Sequence, residues 1–271
     1  MQGLYSKTRK ATRNSAYKLK QLLYDYRNPL FFNFTRNEIE HLIYLHDIDT
    51  FITWIPKNAC SSIRNNSIKH MKKCSFSYES IRFYKKSSKK VIFLRNPFDR
   101  ILSFYLEKIV EIKLPSWTTF FFELAQKSKG CEYINFTNFL ESLNLNNSFL
   151  RSDHTMPQNK FFLGGELKNY TSVFKLNHLA GYGKQFGINF KIDDKIESDD
   201  GLKGESHGSN QYERKFINNA ELIPSYELLY MKKKGILPSK ESFDTDNIRK
   251  LIKRLYPIDL DIYSSFKFNE P

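Results

Sequence analysis

Val91-Ile92-Phe93-Leu94 is the segment that most narrows what this chain can become. Four apolar residues fenced by Lys89-Lys90 and Arg95 are too few for a helix and leave no polar alternation for a half-exposed strand. They predict a strand buried on both faces, as inside a parallel sheet. Asn96-Pro97 follows with the marks of a helix start: Asn as N-cap, Pro at the first helical position, and Asp99 in the first turn, where it complements the dipole. Ile101, Leu102, Tyr105, Leu106 and Ile109 then supply an apolar helical face. The same order is written upstream. A short apolar run near Leu42–Leu45 precedes Thr50–Ile55, which is rich in β-branched and aromatic residues and is stopped by Pro56; Ser61–Met71 then has helical character. Strand, loop and helix twice within about fifty residues predict an α/β domain with a mainly parallel central sheet flanked by helices.

Further along, Ser172–Leu176 reads as a strand, and Trp117–Lys127, Thr137–Leu143, Tyr226–Lys234 and Thr245–Tyr256 as helices. Lys191–Lys215 is dominated by Asp, Ser, Gly and His and predicts a loop or lid. Residues 1–30 are read as a basic helical extension. Residues 1–27 carry seven basic side chains against the acid Asp25, with Tyr17, Leu19, Leu22, Leu23 and Tyr26 at roughly helical spacing. A solvated basic face explains the pattern, and contact with a membrane surface or a partner is the alternative. No linker divides residues 31–271, which are read as one domain. No apolar run reaches the ~18–20 residues of a membrane-spanning helix, and Met1–Arg13 lack the apolar stretch of a secretory signal. The three cysteines (Cys60, Cys74, Cys131) have no framework spacing, so reduced thiols in a cytoplasmic protein are expected and a structural zinc site is not.

Chemistry concentrates at the two strand ends. Pro56-Lys57-Asn58-Ala59-Cys60-Ser61-Ser62 lies between a predicted strand and a predicted helix, where backbone N–H groups and the helix dipole converge on one spot. Lys57, Ser61 and Ser62 add donors there. That suits a phosphate or sulfate, although the Gly-x-x-x-x-Gly-Lys spacing of a Walker loop is absent and a plain strand–turn–helix is the alternative. At the second strand end Arg95 provides a guanidinium fork. Ser103 lies nearly two turns beyond the N-cap Asn96 and so returns to the same face. The alternative there is Arg95 paired with a carboxylate such as Asp99. A net charge of +14 attracts polyanions and small phosphorylated molecules alike.

Together these segments resemble the paired signatures of PAPS-dependent sulfotransferases. "IPKNACSS" is similar to the family's 5′-phosphosulfate loop and "LRNPFDRILSFY" to its 3′-phosphate motif. Within the family the closest likeness is to the carbohydrate branch that holds the chondroitin, dermatan and HNK-1 enzymes. "DHTMPQ" (Asp153–Gln158), "YTSVFKLNHL" (Tyr170–Leu179) and the "LIKRLYPIDLDIYSSF" ending extend the likeness from about residue 50 to residue 266. Asn96 replaces the usual Asp, and Cys60-Ser61-Ser62 stands where many relatives have Cys-Thr or Ser-Thr.

The resemblance implies a P-loop-NTPase-like three-layer fold and transfer of a sulfuryl group from PAPS (3′-phosphoadenosine 5′-phosphosulfate) to a hydroxyl of a carbohydrate, an anionic polysaccharide among the candidates, without a metal. It gives Lys57 the charge on the leaving oxygen, with Asn58, Ala59, Cys60, Ser61 and Ser62 around the 5′ end. Arg95 and Ser103 grip the 3′-phosphate. His154 is the preferred base, oriented by Asp153 or another acid; an Asp or Glu base is the alternative, and so is a structural role for His154. A nucleotide or sugar kinase is the enzymatic rival, but an Arg after the second strand repels the metal that a kinase holds there. A nucleic-acid-binding module is the non-enzymatic rival, and neither a helix-turn-helix, an RNP nor a zinc pattern appears, so no nucleic-acid partner is expected.

Overall fold

The structure is a computed structural model and describes residues 35–70, 74–81, 83–84, 88–111, 119–121, 123, 126, 132–145, 152–188, 190 and 212–270. The basic extension predicted over 1–30, most of Trp117–Lys127, and residues 191–211 of the predicted lid lie outside these.

Helix α1 (Arg36–Glu40) starts at a reciprocal cap: Thr35 Oγ1 accepts the Glu38 N–H, and Glu38 Oε2 accepts the Thr35 N–H at 3.0 Å. Strands β1 (Leu42–Leu45) and β2 (Thr50–Thr53) follow, then α2 (Cys60–His70), β3 (Cys74–Phe76), α3 (Tyr78–Ile81) and β4 (Lys89–Leu94). Helix α4 (Pro97–Phe104) runs into a π turn over Tyr105–Ile109. The remaining elements are α5 (Phe136–Leu145), β5 (Ser172–Lys175), α6 (Leu179–Lys184), β6 (Glu213–Lys215), α7 (Ser225–Lys233), β7 (Ile236–Pro238), α8 (Asp246–Leu255) and α9 (Pro257–Ser265).

Five strands make the central sheet in the order β3-β1-β2-β4-β5. It is mixed, which corrects the expectation of a mainly parallel sheet: β2, β4 and β5 run parallel, but β1 is antiparallel to both β2 and β3. The cause is local. Only His46–Asp49 separates β1 from β2, too short for the crossover that a parallel pair needs, and Asp49 makes the turn at φ 44°. A second correction falls at the end of the predicted lid, where Glu213–Lys215 is a strand paired parallel with β7. Its three side chains are exposed, Arg214 Nη1 donates to the Pro238 carbonyl of β7 at 3.2 Å, and no hydrophobic pattern announces the strand.

Alternate residues of the sheet serve opposite faces. Leu42, Phe51, Ile92, Leu94 and Val173 pack with Phe161, Phe162 and Tyr170 on one side. Ile43, Ile52, Val91, Phe93 and Phe174 pack with Ile63 of α2 and Leu179 and Tyr182 of α6 on the other. Burial on both faces is what the continuous VIFL run demands. A third cluster joins α4 to α5, α7 and α8 through Ile101, Tyr105, Phe136, Phe139, Leu228 and Ile252. At the β5 edge, Asn269 donates its N–H to the Val173 carbonyl at 2.9 Å and accepts the Val173 N–H at 2.8 Å on its Oδ1, so this residue of the open edge is covered by the chain itself. Among the described residues no helix is long and apolar enough to cross a membrane.

Candidate active site

β2 and β4 are parallel neighbours, with Thr53 opposite Ile92, so their carboxyl ends leave the sheet side by side. In an open α/β sheet, the crevice outside those ends is where ligands bind. The loop after β2 folds tightly. Asn58 N–H donates to the Ile55 carbonyl at 2.9 Å, and Lys57 and Ala59 take left-handed φ values of 71° and 54°. Each costs a non-glycine residue about 1–2 kcal/mol. Helix α2 begins immediately afterwards. Ile63 is the first N–H to bond back, to Ala59 O at 2.9 Å, and Ala59 has no side-chain acceptor for the N–H groups that precede it. Cys60 is half-buried and Ser61 exposed. Ser62 is buried, and its carbonyl and hydroxyl accept from Asn66 Nδ2 at 2.9 and 3.2 Å.

The loop after β4 is built the other way. Asn96 Oδ1 accepts the Phe98 N–H at 2.9 Å and Pro97 stands at the first helical position, so α4 caps itself. The two loops then meet: Arg95 Nη1 donates to the Lys57 carbonyl at 2.8 Å. Gln158, from the DHTMPQ segment, locks them together. Its Oε1 accepts from Asn58 Nδ2 at 2.6 Å and from the Arg95 N–H at 3.1 Å, and its Nε2 donates to the Arg95 carbonyl at 2.8 Å. Asp259 of α9 accepts the Gln158 and Asn159 N–H groups at 2.6 and 3.0 Å, and burial raises its proton affinity. The amide of Asn58 faces inward and also donates to Phe93 O at 3.0 Å, so its side chain belongs to the frame of the loop.

Arg100 is the second lock. Its guanidinium is fully buried and donates to the carbonyls of Pro56 (3.0 Å), Met156 (2.7 Å) and Asp153 (3.0 Å). One α4 side chain thereby fixes both the loop of Lys57 and the turn that carries His154.

Charged groups converge above these locks. The Lys57 ammonium contacts Glu107 Oε2, and Lys108 contacts Oε1 of the same carboxylate; Glu107 is buried in the π turn. His154 stacks on Phe104 at 5.8 Å between ring centroids, and its Nδ1 finds no hydrogen-bond partner among the described residues. Burial, then Lys57, Lys108 and Arg100, push its pKa down to about 4, with Asp153 opposing. Asp153 itself places Oδ2 3.7 Å from Nε2 of His41, a ring wedged against Trp54 and Phe161. Ser103 is half-buried on α4, one turn before Glu107.

The structure thus brings Lys57, Arg95 and His154 to one end of the sheet. Glu107, Lys108, Arg100, Gln158 and Asp259 were not singled out from the sequence. One signal for Glu107 was present: an acid within the apolar helical stretch Ile101–Ile109 that the end of the chemistry-bearing motif leads into. Nothing local marks Gln158 or Asp259, whose partners are about a hundred residues away in the chain. No group of His, Cys, Asp and Glu able to hold a metal occurs among the described residues.

A family model described as "Sulfotransferase family" matches residues 33–264. No curated protein and no solved structure matches the chain.

Proposed function

The chain belongs to the sulfotransferase family, whose activity is sulfuryl transfer, and from this we propose that it moves a sulfuryl group from PAPS to a hydroxyl of a carbohydrate, as in the chondroitin, dermatan and HNK-1 branch. A P-loop-like form of the α/β fold and one catalytic domain over 31–271 belong to the same reading. So does a cytoplasmic setting, which the free thiols of Cys60 and Cys74 fit. An anionic polysaccharide is the acceptor that the +14 charge favours.

The observation that carries the reading is the 2.8 Å hydrogen bond from Arg95 to the Lys57 carbonyl, which joins the loops that follow the two neighbouring strands. The residues fit a phosphorylated nucleotide. A tight turn with two left-handed residues leads into the start of α2, where backbone N–H groups suit an anion, and a guanidinium stands beside it.

When bound, the donor supplies a sulfuryl group whose S–O bond to phosphate breaks as an S–O bond to the acceptor hydroxyl forms, the electron pair staying on the phosphate oxygen. Lys57 supplies the positive charge beside that oxygen. The N–H groups of Ala59, Cys60, Ser61 and Ser62 face the 5′ end, and Arg95 and Ser103 hold the 3′-phosphate. His154 is the group that takes the hydroxyl proton. With a pKa near 4 it is neutral, and ready to accept, throughout the physiological range.

Thermal unfolding with adenosine 3′,5′-bisphosphate, AMP, ATP plus magnesium, and DNA oligonucleotides tests this. Saturating bisphosphate should stabilise the protein by ~2–3 kcal/mol, AMP should do little, and Arg95→Ala should lose most of the response. An equal response to ATP with magnesium would favour a kinase, and a response to DNA alone would favour a binding module.

A further inference from the structure

The reaction as written gives Glu107 nothing to do, yet Glu107 is the residue that Lys57 touches. Both side chains are nearly buried, at 8% and 9% exposure, so this ion pair is desolvated. Its location is unusual. Val110 N–H bonds to Tyr105 O at 3.0 Å, an i→i+5 closure that interrupts α4 with a π turn, a feature that recurs at functional sites. Lys57 is fixed at its backbone by its left-handed φ and by the Arg95 bond to its carbonyl, and its side chain reaches out to Glu107. The ammonium at the end of the side chain can therefore change partners while the loop stays in place. Removing one member of a buried pair normally strands an uncompensated charge. Here it does not, because Lys108 already contacts the other oxygen of the same carboxylate.

We propose that Glu107 is a positioning residue, a counter-ion that parks the Lys57 ammonium and yields it to the phosphate end of the donor while Lys108 keeps the carboxylate neutralised. This rests on the nucleotide reading above and adds a partner exchange to it. The arrangement has a directional consequence. An anion that approaches Lys57 must both displace a carboxylate and sit near it, so the carboxylate opposes nucleotide binding and at the same time sets where Lys57 stands.

Calorimetric titration of wild type, Glu107→Gln, Lys57→Met and Lys57→Met/Glu107→Gln with adenosine 3′,5′-bisphosphate decides it. Glu107→Gln should bind the bisphosphate roughly fivefold to tenfold more tightly, because the Lys57 ammonium no longer has to leave a carboxylate to meet the anion. Loss of a merely structural contact would instead weaken binding. In the Lys57→Met background the same substitution should change Kd by no more than about twofold, which isolates the coupling between the two residues. Unchanged or weaker binding by a folded Glu107→Gln overturns the proposal while leaving the nucleotide reading intact. Failure of wild type to bind the bisphosphate overturns both. Should Glu107→Gln not fold, the ammonium NMR signal of Lys57 in wild type, identified by its loss in Lys57→Met, settles the matter: it should move when the bisphosphate is added, and a signal that stays fixed at saturation overturns the exchange.

Discussion

Helix α4 opens on Asn96, whose Oδ1 takes the Phe98 N–H at 2.9 Å, whereas helix α2 opens on Ala59, which has no side-chain atom to offer its first turn. The two starts are neighbours at the same end of the sheet and follow parallel strands. One is closed by the chain itself. The other has no side-chain acceptor at Ala59, and Lys57 and Ala59 take left-handed conformations that cost stability. A helix start that satisfies its own N–H groups is built for the fold, and one that leaves them pointing outward is built for an anion. The comparison also shows how strain is tolerated: Arg100 of α4 and Arg95 just before it reach across and hold the loop that leads into α2.

The largest effect should come from removing that hold. Arg100→Leu leaves the carbonyls of Pro56, Asp153 and Met156 without their donor, and urea unfolding should show a loss of about 3–5 kcal/mol. A loss below ~1 kcal/mol would break the idea that the closed helix braces the open loop. Next, Lys57→Met should lower kcat by about 10²–10³-fold, measured as sulfuryl transfer to a carbohydrate acceptor, with a much smaller change in stability.

The turn that Arg100 holds supplies a pH test. Burial and nearby cations keep the pKa of His154 at about 4 in the folded protein, against 6.5 ordinarily. The unfolded chain therefore binds more protons between those values, so the contribution of His154 to stability is complete above pH 6.5 and is lost as pH falls toward 4. Burial lowers His41 in the same sense. Urea midpoints should fall over that window, and His154→Gln should flatten part of the slope. A slope that His154→Gln leaves unchanged would remove the case for a buried, neutral imidazole beside Lys57.

The smallest effects contrast the two helix starts directly. Asn96→Ala should cost about 1 kcal/mol in unfolding experiments, with bisphosphate affinity unchanged, because that cap serves the helix alone. Ala59→Gly should instead stabilise by about 0.5 kcal/mol, relief of the left-handed strain being partly offset by the freedom glycine gains when unfolded. If both substitutions shift stability in the same direction, the distinction between a closed and an open start fails.

Much of this was legible beforehand because it is local. VIFL had to be buried on both faces, Asn96-Pro97 had to start a helix, and the helix read over Thr245–Tyr256 is α8 (Asp246–Leu255). The mixed sheet was not legible, since the hairpin at His46–Asp49 carries no Asn-Gly or Asp-Gly signal and turns on Asp49 alone. The strand at Glu213–Lys215 was hidden because its partners are backbone atoms and its side chains are polar and exposed.

What the sequence by itself determined is the kind of chemistry: a lysine and an arginine each placed where a strand gives way to a helix, in an order that belongs to the sulfotransferase family. Only the tertiary structure decided which groups those cations meet. Glu107 on Lys57, Gln158 between Asn58 and Arg95, and Arg100 across to Met156 are pairings over long chain separations. Such contacts follow from how the sheet brings its strand ends together and from the need of buried polar groups for partners, and no run of neighbouring residues encodes them.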